Sequence, residues 1–213
     1  MRLAELSERS GVPVGTIKYY LREKLLPPGR RISATQAEYE EAHLRRLALV
    51  RALIQVGRVP VATAREVIAH IDDDSLSTTF RLGAAMWALP QPPDPDPEDA
   101  STRRATAVVE SLVEELGWEH TREIGALSPS YRALVSSLAT LARVGYDFPA
   151  SNLTAYGRAM QQVADLDHDH LAMFEGDTEK AEVVVATALL FEPALLALRR
   201  LAQQEETTRR YGL

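Results

Sequence analysis

The chain has 213 residues, of which 46% are apolar and none is cysteine, and its formal net charge is −6. That length allows one large domain or two small ones, and the missing thiols exclude disulfides, thiolate metal sites and cysteine redox switches. No secretory h-region is visible, and no apolar run approaches the ~20 residues that a membrane span needs, so no membrane partner and a cytoplasmic location are expected.

The net charge conceals an asymmetry. Residues 1–71 hold twelve Lys/Arg against seven Asp/Glu, which leaves +5; the rest hold twelve against twenty-three, which leaves −11. The basic third can hold phosphates, while the acidic remainder should stay off nucleic acid.

In chain order, Leu3 and Leu6 repeat at helical spacing in a short amphipathic run that Gly11 ends, as a residue tolerant of positive φ does. A second helix begins near Val14, after Pro13. Val14, Ile17 and Leu21 form its buried stripe. Gly15, Lys18 and Arg22 share another face, with Thr16, Tyr19 and Tyr20 beside it. A short helix, a tight turn and a second helix with a cationic, aromatic face predict a helix-turn-helix that reads DNA. Leu25-Leu26-Pro27-Pro28-Gly29 stops helical structure. Arg30-Arg31-Ile32, a polar turn near Ser33 to Gln36 and a return through Ala37-Glu38-Tyr39 then predict a small β wing.

A third helix is expected from about Glu40 to Val56, with Leu44, Leu47, Val50 and Ile54 inward and Gly57 at its end. A fourth starts at Pro60 and buries Ala64, Val67, Ile68 and Ile71. Ser75 to Leu89 is a further short helix. Residues 90–99 contain five prolines, too many for helix or central strand, and read as a semi-rigid linker. Four amphipathic helices follow. The first carries Ala105, Val108, Val109, Leu112 and Leu116 and ends at Gly117. The second opens on Ser128-Pro129 and carries Tyr131, Leu134, Val135, Leu138, Leu141 and Ala142. A third, after Phe148-Pro149, turns Leu153, Tyr156, Met160 and Val163 inward. The last, after Gly176-Asp177, carries Val183, Val184, Leu190, Phe191, Leu195, Leu198 and Leu201, with a kink expected at Pro193. The fold class is therefore mainly α. A winged helix-turn-helix spans residues 1–71, residues 72–99 connect, and residues 100–213 form an α-helical bundle.

Leu3-Ala4-Glu5-Leu6, Gly11-Val12-Pro13-Val14, Thr16-Ile17-Lys18-Tyr19-Tyr20 and Arg22-Glu23-Lys24-Leu25-Leu26-Pro27-Pro28 resemble the winged-helix DNA-binding domain of MerR-type transcriptional regulators. The resemblance continues through Tyr39 and Leu44-Arg45-Arg46-Leu47, and so covers roughly residues 1–71. It implies a homodimer on a palindromic operator in double-stranded DNA. It also implies distortion of an over-long promoter spacer for RNA polymerase, under control of an effector bound further along the chain. Three departures stand out: Gly15 replaces a usual basic residue, Ala37 replaces the wing arginine, and the helix after the fourth is short.

The expected DNA contacts are Thr16, Lys18, Tyr19, Tyr20, Arg22, Arg30, Arg31 and Tyr39. Lys18 and Arg22 are assigned to the groove or its phosphates, Thr16 and Tyr20 to phosphates, and Tyr19 is expected half in the core. Arg30 and Arg31 are assigned to a flanking phosphate or minor groove.

Elsewhere the residues leave alternatives. Asp165-Leu166-Asp167-His168-Asp169-His170 raises a metal site, but two histidines two apart on a helix lie about 200° apart, and a solvated acidic face is the preferred reading, with no metal and no cofactor. Trp87, Trp118, Tyr131, Tyr146, Tyr156, Phe174 and Phe191 either line a pocket for an unidentified small-molecule effector or serve as helical core. The Val183–Leu201 helix is the competing surface, for dimerisation. No phosphate loop, nucleophile elbow or zinc-protease motif appears, so no enzyme is expected. The alternative function is an architectural, nucleoid-associated DNA binder that needs no effector.

Overall fold

A computed structural model describes residues 1–33 and 36–212 of the chain. Ala34 and Thr35, the tip of the expected wing turn, lie outside the described residues, as does Leu213. In chain order the elements are α1 (Leu3–Ser10), α2 (Val14–Arg22), β1 (Arg30–Arg31), β2 (Ala37–Glu38), α3 (Glu41–Arg51), α4 (Val61–Ile71) and α5 (Thr78–Trp87). There follow α6 (Ala100–Leu116), α7 (Glu119–Ile124), α8 (Pro129–Arg143), α9 (Ala150–Leu171), α10 (Asp177–Leu190) and α11 (Glu192–Tyr211). A π-helical turn, Ala52–Val56, extends α3, and a 3-10 turn, Gly125–Leu127, leads into α8. The fold is mainly α.

These elements build two compact units, one of residues 1–89 together with 174–213, the other of residues 90–173. The first is centred on Leu6, Ile17, Leu25, Leu26, Leu47, Leu53 and Ile68, all essentially inaccessible to solvent. Gly11 ends α1 at φ 66°, as its place in the turn requires. Arg9 on α1 makes a two-pronged bond to Glu41 on α3, at 2.6 and 3.0 Å. Arg65 on α4 donates to both the carboxylate and the carbonyl oxygen of Glu23, which fixes the C-terminal end of α2. The inward residues expected for α3 and α4 are packed in or against this core.

The expected bundle over residues 100–213 does not form as one body, because α10 completes the first core instead. Ala181 and Val185, one turn apart, are fully buried there. Polar bonds fix the same stretch. Glu182 accepts from Arg46 at 2.7 Å, Glu179 meets Arg45 at 3.2 Å, and Thr178 accepts from Arg81 at 3.2 Å. The kink expected in the final helix at Pro193 is a full break. The helix breaks at Phe191, with Pro193 in the first turn of α11, and the two segments meet at 45°. Proline tolerates the first turn because its missing N–H has no partner to lose there. Leu198 and Leu201 on α11 are exposed rather than buried.

The second unit packs α8 on α6 through Ala105, Val109, Val113, Val135, Leu138 and Ala139, and α9 joins this core through the half-buried Leu153. Asp99 caps α6 by accepting from the Thr102 amide, and Ser128 caps α8 by accepting from that of Tyr131. On α9 the buried residues are Thr154 and Gly157. A Cβ on Gly157 would lie 2.4 Å from Leu116 Cδ1, so glycine sets this close approach. Tyr156 and Met160, expected inward, face solvent. Among the described residues no single helix is long and apolar enough to cross a membrane.

Candidate nucleic-acid interface

At about 100° per residue, α2 divides into two arcs. Ile17, Tyr20 and Leu21 fall on one, which packs inward. Gly15, Lys18, Tyr19 and Arg22 fall on the opposite arc, about 100° wide, with Thr16 at its flank. Lys18, Arg22 and Gly15 are exposed, and Thr16 and Tyr19 are half-buried. The Arg22 guanidinium lies 5.3 Å from the centre of the Tyr19 ring, so the aromatic face steadies the cation without neutralising it.

Tyr20 and Tyr39 sit elsewhere than expected. They are 4% and 6% exposed and belong to the core, and burial pushes both phenols above their ordinary range. Tyr39 packs edge-on against His43, with ring centres 5.2 Å apart. Any contact these tyrosines make with DNA is confined to that residual surface; their main part is to support the head from within. For Tyr20 the cause is rotational, since it follows Tyr19 by one residue and so turns about 100° toward the core.

The wing is a two-residue ladder in which Arg30 pairs with Glu38 and Arg31 with Ala37. The Arg30 guanidinium is tied to the Glu38 carboxylate. Arg31, on the opposite face of the strand, is exposed and has no partner among the described residues. It borders a groove of about 420 Å³ between α2 and the wing, lined also by Leu21, Pro28, Gly29 and Gln36. Gly29 is required by space: a Cβ there would lie 2.6 Å from the Glu38 carbonyl oxygen and 3.0 Å from the Tyr39 ring.

Pairing sorts the remaining cations. Arg9, Arg45, Arg46 and Arg65 are all engaged by carboxylates. Arg2 and Arg51 donate only to neutral oxygens, of Gln36 and of Gln55 and Ser10; the side chains of Lys18, Lys24, Arg31 and Arg58 have no partner among the described residues, and Lys24 and Arg58 both adopt left-handed backbone, with φ of 58° and 51°. The sequence reading missed Lys24 and Arg58 as free cations; their only signal was membership of the +5 charge.

In the second unit, Tyr131 alone of the aromatic residues expected around an effector borders the large cavity there. Trp118 packs against the core, and Tyr146 and Tyr156 are exposed. Among the described residues no three His, Asp or Glu side chains are grouped to hold a metal ion.

A short helix, a turn, a second helix with an uncompensated cationic face and a two-stranded wing define a helix-turn-helix protein. The model of the MerR HTH family of regulatory proteins matches residues 1–71. Over 50 residues the chain is 38% identical to the HTH-type transcriptional regulator ZntR homolog of Haemophilus influenzae, an alignment taking in 24% of this chain and 37% of that protein. The chain thus spans little more than a third of that relative. The crystal structure of SCO5550 from Streptomyces coelicolor A3(2), described as a transcriptional regulator, is similar throughout. It is 53% identical with a TM-score of 0.84, over 100% of this chain and 99% of that one. The chain belongs to the MerR family of helix-turn-helix transcriptional regulators. It is a regulator and not an enzyme.

Proposed function

We propose that the chain binds a palindromic promoter operator as a homodimer, each protomer inserting α2 into the major groove and setting Arg31 on a flanking phosphate. The observation that carries this reading is the outward arc of α2. There Lys18 stands unpaired, and Arg22, 70% exposed, has Glu23 at 3.7 Å as its one carboxylate neighbour among the described residues. Thr16 and Tyr19 at its edge suit phosphate contacts, which fix register without reading sequence. A dimer spaces its two heads by whole turns of DNA, so it bends or untwists the centre and presents the promoter to RNA polymerase in altered geometry. The exposed Phe191, Leu198 and Leu201 favour a second copy of the chain along α11, since a 20-residue helix with no buried residue leaves its apolar stripe uncovered. Control by a small-molecule effector belongs to the 90–173 unit, and the site of action is the nucleoid in the cytoplasm.

The test is selection of duplexes from a random pool followed by titration in rising salt. A palindrome should emerge that binds roughly a thousandfold or more above random DNA, with affinity falling steeply as salt rises. Lys18→Ala should weaken binding to all sequences and lower the salt slope by about one, with an unchanged melting temperature. Equal affinity for selected and random duplexes would replace the regulator with the architectural reading.

A further inference from the structure

In the 90–173 unit, one face of α6 borders an open-sided cavity of about 830 Å³, within the size range of small-molecule sites. The proline-rich segment ahead of α6 supplies one wall through Asp94, Pro95 and Pro97. The other wall comes from the start of α8, with Tyr131 and Val135, and from Arg122 on α7.

The polar groups of this lining are unequally committed. Arg132 forms an ion pair with Asp94 at 2.5 Å and donates to the carbonyl oxygens of Ala126 and Leu127 at 2.8 and 3.0 Å, which pins the proline wall to the base of α8. Arg122 is held by Glu119 at 2.6 Å, and Arg103 donates to the Glu98 carbonyl. Every arginine facing the cavity therefore has a partner. The carboxylates of Glu110 and Glu114, one turn apart on α6, have neither an ion pair nor a hydrogen bond among the described residues. Glu110 lies close enough to Tyr131 that its charge adds to burial in raising the phenol. The charge left over at the cavity is negative, and it adjoins proline, valine and an aromatic ring.

We propose that this cavity binds a small organic cation with an apolar body, its ammonium or amidinium group at Glu110 and Glu114 and its apolar part against Pro95, Pro97 and the Tyr131 ring. An anionic ligand meets a poorer site, since Arg122 and Arg132 are already paired with Glu119 and Asp94, and Arg103, held only by the Glu98 carbonyl, offers one positive charge against two bare carboxylates. The aromatic ring and the carboxylates act in the same direction, because both favour positive charge. The proposal rests on the effector reading only for its consequence on DNA, so ligand binding and operator affinity are measured separately.

The experiment is isothermal titration calorimetry on the full chain with phenylbutyl-trimethylammonium, and with phenylbutanesulfonate as the anionic counterpart of similar length. The cation is expected to bind saturably at one site per chain and at least about tenfold more tightly than the sulfonate. The Glu110→Gln/Glu114→Gln double variant, whose altered side chains are exposed, should melt like the parent and bind the cation at least about tenfold more weakly. Equal affinity for the sulfonate, an unaffected double variant or no saturable cation binding overturns the site. If the cation binds as expected but saturating amounts leave operator affinity unchanged, the site stands and effector control falls. If it fails to bind while the selected operator is still recognised, the site falls and the DNA reading stands.

Discussion

Replacing Arg46 by methionine tests whether helix α10 is part of the DNA-binding head. The Arg46 side chain is 5% exposed and makes three bonds, from Nε to Glu182 at 2.7 Å and from Nη1 and Nη2 to Asp72 at 2.8 and 2.5 Å. Burial would lower the guanidinium pKa, but the bond and charge of Asp72, and then of Glu182, outweigh it, and Arg46 is held above its ordinary range. Burial pushes the Glu182 carboxyl above the usual carboxylate range in spite of Arg46. Arg46→Met leaves that carboxylate without a partner at a site 10% exposed, whereas Asp72, 46% exposed, regains water. Breaking a buried pair from one side costs about 3–5 kcal/mol. With a urea slope of about 2 kcal/mol per molar, the unfolding midpoint should fall by roughly 1.5–2.5 M at neutral pH.

The loss should depend on pH. A carboxyl whose folded pKa is raised contributes stability that is present below its unfolded value and is lost as the pH rises through the folded one. Without the guanidinium this carboxyl rises further. The deficit of Arg46→Met should therefore be greatest near neutrality and shrink toward about pH 4, where the group is protonated. Adding Glu182→Leu should restore most of the midpoint, because it removes the unpaired charge. The assay is urea unfolding followed by circular dichroism across this range. A midpoint within about 0.3 M of the parent, or a deficit independent of pH, would refute the buried pairing.

Three further substitutions probe the head. Gly15→Ala should raise stability by about 0.5–1 kcal/mol and the melting temperature by a few degrees, because a Cβ there meets no atom within 4 Å; a lower melting temperature would show that the position is not open. Gly15→Arg should instead tighten DNA binding and steepen its salt dependence by about one counterion, read by titration at several salt concentrations. Gly29→Ala should cost about 1–3 kcal/mol and weaken DNA binding, since the added carbon pushes on the Glu38 carbonyl and the Tyr39 ring. A melting temperature equal to the parent's would mean that the wing strand is not packed that closely.

Local features were legible along the chain. Gly11, Ser128-Pro129 and Gly117 marked helix ends through backbone conformation and capping, which depend on a few adjacent residues. The stripes of α4, α6 and α8 followed from helical periodicity, which counts only sequence spacing. Lys18 and Arg22 stood out for the same reason, as they share one face of a helix whose other face is apolar. Tertiary structure decided which cations are free. Arg9, Arg45, Arg46 and Arg65 read like surface charges in sequence, yet each meets a carboxylate, and the partners of Arg45 and Arg46 on α10 lie more than a hundred residues away. It also decided that α10 belongs to the head and that α11 turns away from it. An amphipathic pattern records that a face must be covered, while the identity of the cover depends on which surfaces of the whole chain match it in shape and charge.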